Sequence, residues 1–172
     1  MRWLIDDFYS WIVFIHVAST LGFVMAHGIS AGALFALRRG GALERTRALL
    51  DLSAASFAAV YVSLLALLAS GIVAGIMGGH FTGGRWWLWI SIALFVVLIG
   101  YMGAVRWSQM VNVRHAAGLQ TQDDIKKGMP APEPSSEADI VAAVASVRPW
   151  LVLFVGFGGL IVILALMMFK PI

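Results

Sequence analysis

The amino-acid sequence predicts an all-α integral membrane protein, a four-helix bundle with both termini outside. The first observation behind this prediction is composition: 60% of the 172 residues are hydrophobic and only 12% are charged. An ordinary soluble domain is about 45–50% apolar and about 25% charged. The second is the presence of four apolar runs, each near the length of about 20 residues that a membrane helix needs. The third is the uneven placement of lysine and arginine. A soluble enzyme and a disordered chain are both excluded.

The predicted spans cover approximately residues 8–37, 53–77, 86–105 and 150–169. The first is expected to remain in the protein rather than be cleaved as a signal peptide, because acidic Asp6 and Asp7 stand where a signal needs positive charge. Tryptophan favours the membrane interface, where its ring is apolar and its N–H is polar. The seven tryptophans fall near span ends: Trp3, Trp11, Trp86, Trp87, Trp89, Trp107 and Trp150.

The basic residues predict the orientation. Nine of the 12 lysines and arginines lie in the first and third connecting segments, and the others are Arg2, Arg85 and Lys170. Cytoplasmic loops carry the excess of basic residues, so these two segments are expected in the cytoplasm and both termini outside. The net charge of +3 then reflects cytoplasmic arginines, and no nucleic-acid partner is expected.

The third connecting segment is the one long polar part of this single four-span domain. Residues 106–117 suit a continuation of the third helix, and residues 118–147 are predicted to form a cytoplasmic loop. Within it, 128–136 reads as a proline-rich linker. Residues 137–147 resemble a short amphipathic helix with Ser135 or Ser136 as N-cap. The loop is too small for an enzyme domain.

The second span carries a stripe of small residues at helical spacing. Such stripes let helix backbones approach closely in a membrane. We expect this face to press against a neighbouring helix or a flat cofactor. Its members are Ser56, Ala59, Ser63, Ala66 and Ser70, followed by Gly71, Gly75 and Gly79.

The first span carries two histidines on one face. At 100° and 1.5 Å per residue, His16 and His27 lie within about 20° of each other and about 16 Å apart along the axis. Polar groups inside a bilayer face the bundle interior and mark functional sites by default. The same face carries the hydroxyl side chains Ser19, Thr20 and Ser30.

Intramembrane histidines have several chemical uses. They bind haem iron or the magnesium of a chlorophyll-type pigment, relay protons, or bind metal ions. The alternative is that they hydrogen-bond neighbouring helices. The absence of cysteine excludes iron–sulfur clusters and covalent c-type haem. No Asp, Glu or Lys lies within the spans, which disfavours a proton or ion pathway.

A six-coordinate b-type haem needs two axial ligands. His16 with His80 is the expected pair for a haem on the outer side, and His27 with His115 is a second candidate pair on the inner side. Methionines are alternative ligands, namely Met25, Met77 and Met102. Arginines that would pair with haem propionates are Arg38, Arg85 and Arg106, each of which also has the simpler role of a topology charge.

Residues 14–23, Phe-Ile-His-Val-Ala-Ser-Thr-Leu-Gly-Phe, resemble the opening helix of small bacterial membrane proteins related to copper-resistance protein D. That group also resembles the J-type membrane protoporphyrinogen oxidase. The resemblance covers about one span of the four. It implies a four-helix bundle in the bacterial inner membrane and a b-type haem near His16.

We therefore expect a small membrane b-type haem protein or cytochrome-like subunit that transfers electrons within a redox complex. His16, His80 and His27 are the expected cofactor-binding residues, and a quinone or chlorophyll-type pigment is an alternative ligand. The partners would be the lipid bilayer and other membrane subunits or further copies of the chain. A non-catalytic accessory or scaffold subunit of a respiratory or photosynthetic complex is the alternative function. A membrane porphyrinogen oxidase is a weaker one.

Overall fold

The computed structural model describes residues 2–83 and 85–170, without the side chains of 2–6 and 105–108. Its described residues form helices and connecting segments without any strand, and four of the helices are long and apolar enough to cross a membrane. The predicted fold class, a helical membrane bundle, is thereby confirmed, while the outside location of the termini stays a prediction. The helices are α1 Arg2–Leu37, α2 Leu43–Met77, α3 Trp86–Ala116, α4 Gln122–Lys126, α5 Glu137–Ser146 and α6 Pro149–Phe169.

Two long helices extend beyond the predicted spans. α2 begins at Leu43, ten residues ahead of the predicted span, whereas α3 continues to Ala116 over the residues predicted to prolong it. Both extensions carry polar residues that form helix readily but lower the hydropathy of a sequence window. The spans measured by hydropathy alone are therefore shorter than the helices.

The connection between α3 and α6 contains two capped helices. α5 lies where the sequence predicts a short helix, and the Ser136 hydroxyl accepts a hydrogen bond from the Asp139 N–H as its N-cap. α4 was not predicted, because five residues are too few for a hydrophobic period. Its N-terminus has a reciprocal capping box between Thr121 and Asp124.

α1 packs along α2 and also touches α6, while α3 packs against α6 and α5. Ser63 and Ser70 of the small-residue stripe on α2 lie against α1, next to Gly22 and His16, whereas Ala59 is exposed. Ser53 and Ser30 share a hydrogen bond of 3.0 Å between their Oγ atoms. A Cβ at Gly22 would lie 2.8 Å from Ser63 Oγ, so the two backbones are as close there as the side chains permit.

We define the loop end of the bundle as the end that carries the α1–α2 and α3–α6 connections. Its core cluster joins α1, α2, α3, α5 and α6. Basic side chains predicted as topology charges also donate to helix carbonyls here, which satisfies groups that helix C-termini leave unpaired. Arg38 Nη1 donates to the carbonyls of Ala145 at 2.8 Å and Val147 at 2.7 Å. Arg47 Nε donates to Ala117 O at 2.8 Å.

Large apolar side chains remain exposed along the four long helices, as lipid contact requires. Leu21 is 60% exposed on α1, Val62 65% on α2 and Val97 66% on α3. In the middle of the bundle, Leu67, Phe95 and Ile163 form a separate buried layer. A cavity adjoins this layer on each side.

Candidate functional site

Two apolar cavities lie between the four long helices, one on each side of the buried layer. The His16 cavity has a volume of about 300 Å³ and is lined by α1, α2, α3 and α6. The His27 cavity has about 220 Å³, lies nearer the loop end and is lined by the same four helices. The two histidines that share one face of α1 therefore serve different cavities.

One ring nitrogen of His16 is bonded to α2. Nδ1 lies 3.0 Å from the carbonyl oxygen of Leu67 and 3.2 Å from Ser70 Oγ. Because a carbonyl only accepts, Nδ1 carries the proton and donates it to Leu67 O. The Ser70 hydroxyl in turn donates to Ala66 O at 2.5 Å. This arrangement leaves Nε2 as the nitrogen with the lone pair.

Nε2 of His16 has no hydrogen-bond partner among the residues that the structure describes. The polar groups around it are used within their own helices: Thr20 Oγ1 donates to His16 O at 3.0 Å, and Ser91 Oγ to Trp87 O at 2.8 Å. Gly71 adjoins the ring, and a Cβ there would lie 2.9 Å from His16 Cε1. A histidine with Nδ1–H on a carbonyl and an unbonded Nε2 is the usual arrangement of a metal ligand.

The His16 cavity also contains Met167 of α6. Met167 is not among the three methionines that the sequence offers as alternative ligands. A thioether is a soft ligand that accompanies histidine in some haem proteins. No sequence signal separates Met167 from a methionine that fills core space, because its position across from His16 depends on how α6 packs.

His27 joins α1 to α6. Its Nε2–H donates to the carbonyl of Val152 at 3.2 Å, and the side chain is 4% exposed. The ring stacks on Phe23 at 5.2 Å and meets the edge of Phe157 at 5.0 Å. A Cβ added at Gly156 would overlap the imidazole. Nε2 of His27 is thus engaged by backbone, unlike that of His16.

His80 lies in the connection between α2 and α3, at the end of the bundle opposite the loop end. Arg85 Nη1 donates to His80 Nδ1, and the imidazole lies 5.9 Å from the ring of Trp87. Burial lowers the pKa of His80, and the positive charges of Arg85 and Lys170 lower it further. His80 does not line the His16 cavity, so the expected pairing of His16 with His80 on one iron stays a prediction.

His115 is tied to the loop-end connection. Its Nε2–H donates to Asp124 Oδ2 at 2.7 Å. The same oxygen accepts the N–H and the hydroxyl of Thr121, each at 2.7 Å. These bonds, those from Thr121 first, hold the pKa of Asp124 well below its usual range. The His27 cavity is lined by His27 but not by His115, so their pairing also stays a prediction.

The other candidate ligands and charges lie in several places. Met102 lines the His27 cavity, whereas Met25 is 69% exposed on the outside of α1. Arg38 caps α5, Arg85 contacts His80, and the Arg106 side chain lies outside the described residues. The described residues contain no cluster of three or more His, Asp or Glu side chains that could hold a metal ion by themselves.

Fold and cavities together define a multi-pass helical membrane protein with one histidine at each of two apolar cavities between its helices. No protein-family model matches the chain, and neither the curated proteins nor the solved structures contain a match.

Proposed function

We propose that the chain is a small membrane b-type haem protein in which His16 Nε2 is an axial ligand. It would serve as an electron-transfer subunit, and its redox partners would be other membrane components. The observation that carries this proposal is the bonding of the His16 imidazole, whose Nδ1 is held by Leu67 O while Nε2 is left unbonded.

The two hydrogen-bonding patterns of the α1 histidines support the choice of His16. His27 bonds Val152 through Nε2, which leaves only Nδ1, the ring nitrogen nearer its own Cα. His16 also bonds a neighbouring helix, but through Nδ1, and this bond orients the ring with Nε2 unbonded. His16 is therefore suited to hold a metal-containing group while it remains attached to α2.

The shape of the surroundings is compatible with a flat apolar group. The His16 cavity, at about 300 Å³, is at the lower end of the range of about 300–1,000 Å³ for small-molecule pockets. Gly71 lets the His16 ring lie against the α2 backbone, and Met167, which lines the same cavity, would provide a sulfur ligand.

A haem, when bound, supplies reversible one-electron transfer at iron. The chain's own residues would do the rest. His16 would donate its lone pair, Leu67 O would hold the ring orientation, and the apolar walls formed by side chains such as Phe95 and Ile163 would exclude water.

The test is the absorption spectrum of the full chain purified in mild detergent from haem-supplied cells, oxidised and then reduced with dithionite. We expect a Soret band and sharp reduced α and β bands, all lost in His16→Ala. His115→Ala is the control and should keep them, because His115 bonds Asp124 outside the cavities. His16→Gln offers a side-chain N–H in place of Nδ1–H, so it separates loss of the ligand from loss of the bond to Leu67.

Wild-type protein that shows only aromatic absorbance under these conditions would overturn the proposal. The same holds if folded His16→Ala and His16→Gln both keep the haem spectrum. The first result would favour the accessory-subunit alternative, in which both α1 histidines only join helices, and the second would assign the haem to other ligands.

A further inference from the structure

A surface groove at the loop end combines two arginines with aromatic walls. It lies between the end of α1 and the start of α6 and encloses about 520 Å³. We define it as the arginine groove; its lining includes Phe35, Arg38, Arg148, Trp150 and Phe154. It shares no lining residue with the His16 cavity or the His27 cavity.

The groove has an excess of positive charge. Its lining contains two guanidinium groups and no carboxylate. The described ion pairs use other residues, and neither Arg38 nor Arg148 has a carboxylate partner among them. Arg38 is held in place by two backbone carbonyls through Nη1 alone. A guanidinium has five N–H donors, so most of those on Arg38 remain for a ligand.

The rest of the groove is apolar and exposed. Trp150 is 60% exposed and Phe154 is 68% exposed. The Trp150 ring meets Phe35 edge-on at 4.7 Å and stacks against Phe154 at 5.7 Å. Phe154 lies one turn further along the span than Trp150. The lining thus changes from cationic at the helix ends to aromatic along α6, as the bilayer changes from headgroup to acyl chain.

We propose that the arginine groove binds the headgroup of an anionic phospholipid. The phosphate would lie between the guanidinium groups of Arg38 and Arg148, and an acyl chain would follow the aromatic side chains along α6. Basic pockets at the ends of membrane helices recognise anionic lipids in this way. A phosphate bound from solution would not use Phe154, and a zwitterionic lipid would leave a net positive charge in the groove. This proposal is independent of haem.

The test uses delipidated full-length protein and measures retained lipid by native mass spectrometry as phosphatidylglycerol or phosphatidylcholine is added. We expect wild type to retain phosphatidylglycerol preferentially. Arg148→Gln should weaken that retention about fivefold, the effect of roughly one basic residue near a membrane surface. Arg148 is a better choice for substitution than Arg38. The described hydrogen bond of Arg148 uses its backbone N–H, so the substitution does not remove it.

Arg39→Gln is the matched control, with the same change of charge one residue from Arg38 but outside the groove. It should leave the affinity unchanged, whereas an equal loss in Arg39→Gln and Arg148→Gln would reduce the effect to general charge attraction and overturn the proposal. Equal retention of the two lipids by wild type would also overturn it. So would full competition by soluble glycerol phosphate, since the site would then not need the aromatic wall.

Discussion

The imidazole of His27 lies directly on the backbone of α6 at Gly156, where even a methyl group would overlap the ring. The same imidazole donates to the Val152 carbonyl one turn earlier. A buried histidine and a glycine on another helix therefore set the distance between α1 and α6. This contact lies beside the His27 cavity and fixes the helix that also carries His16.

Replacing this glycine should destabilise the bundle. In Gly156→Ala the new methyl group must displace His27 or separate the helices, and overpacking of this kind costs about 1–3 kcal/mol. Gly158→Ala is the matched control, because a Cβ there meets no atom within 4 Å. It should be neutral or slightly stabilising, since alanine favours helix over glycine. Thermal unfolding in detergent measures both variants, and equal unfolding midpoints would contradict the described contact.

The hydrogen bond between α1 and α2 predicts a measurable coupling between the effects of two serine substitutions on the free energy of unfolding. Ser30 and Ser53 share a hydrogen bond of 3.0 Å, so the double variant should be more stable than the sum of the single alanine variants implies. Interhelical hydrogen bonds in membranes couple by about 0.6 kcal/mol on average. Denaturant unfolding of the four variants gives this value. A control cycle of Ser53 with Ser91 should give none, because Ser91 bonds only Trp87 O in its own helix.

We expect the α3–α6 connection to keep its structure in mild acid because of the hydrogen bonds to Asp124. The pKa of this carboxyl is lowered by folding, so its stabilising contribution is complete above the usual value of 3.8. It is lost only as the pH falls through the lower pKa of the folded state. Hydrogen exchange at the Thr121 amide, which donates to Asp124, measures the effect. Wild type should be protected more than Asp124→Asn near neutral pH, and the difference should shrink below pH 3.8.

Asp123→Asn is the control for that experiment. Asp123 makes an exposed ion pair with Lys127, and such pairs contribute little to stability. The variant should exchange the Thr121 amide as wild type does. Equal protection in wild type and Asp124→Asn at neutral pH would show that the three bonds to Asp124 do not hold the turn.

Much of the architecture could be predicted because it depends on local properties of the chain. Hydropathy located the four long helices, and the serine at 136 with acidic residues after it indicated the start of α5. The small-residue stripe of α2 indicated close packing, although not that α1 is the partner. The polar residues 106–117 were predicted to continue the third helix, and α3 does run to Ala116. The polar start of α2 was not predicted, because a hydropathy window measures the apolar run rather than the helix.

The site was predicted less completely because it depends on distances between helices. Helical spacing indicated that His16 and His27 share a face, but it could not show that they reach different cavities. Nor could it show which ring nitrogen each one uses, since the carbonyls of Leu67 and Val152 belong to other helices. Met167 was missed for the same reason, because its place in the His16 cavity is set by packing of α6.

We propose that His16 Nε2 binds haem iron and does not serve only to join helices. The most direct measurement is the reduced absorption spectrum of His16→Gly before and after imidazole is added to the solution. Removal of the ring enlarges the cavity beside Gly71, which leaves a place for free imidazole. If His16 Nε2 is the iron ligand, His16→Gly lacks the haem bands and added imidazole restores them. A folded His16→Gly protein whose spectrum already matches that of wild type without imidazole would contradict it.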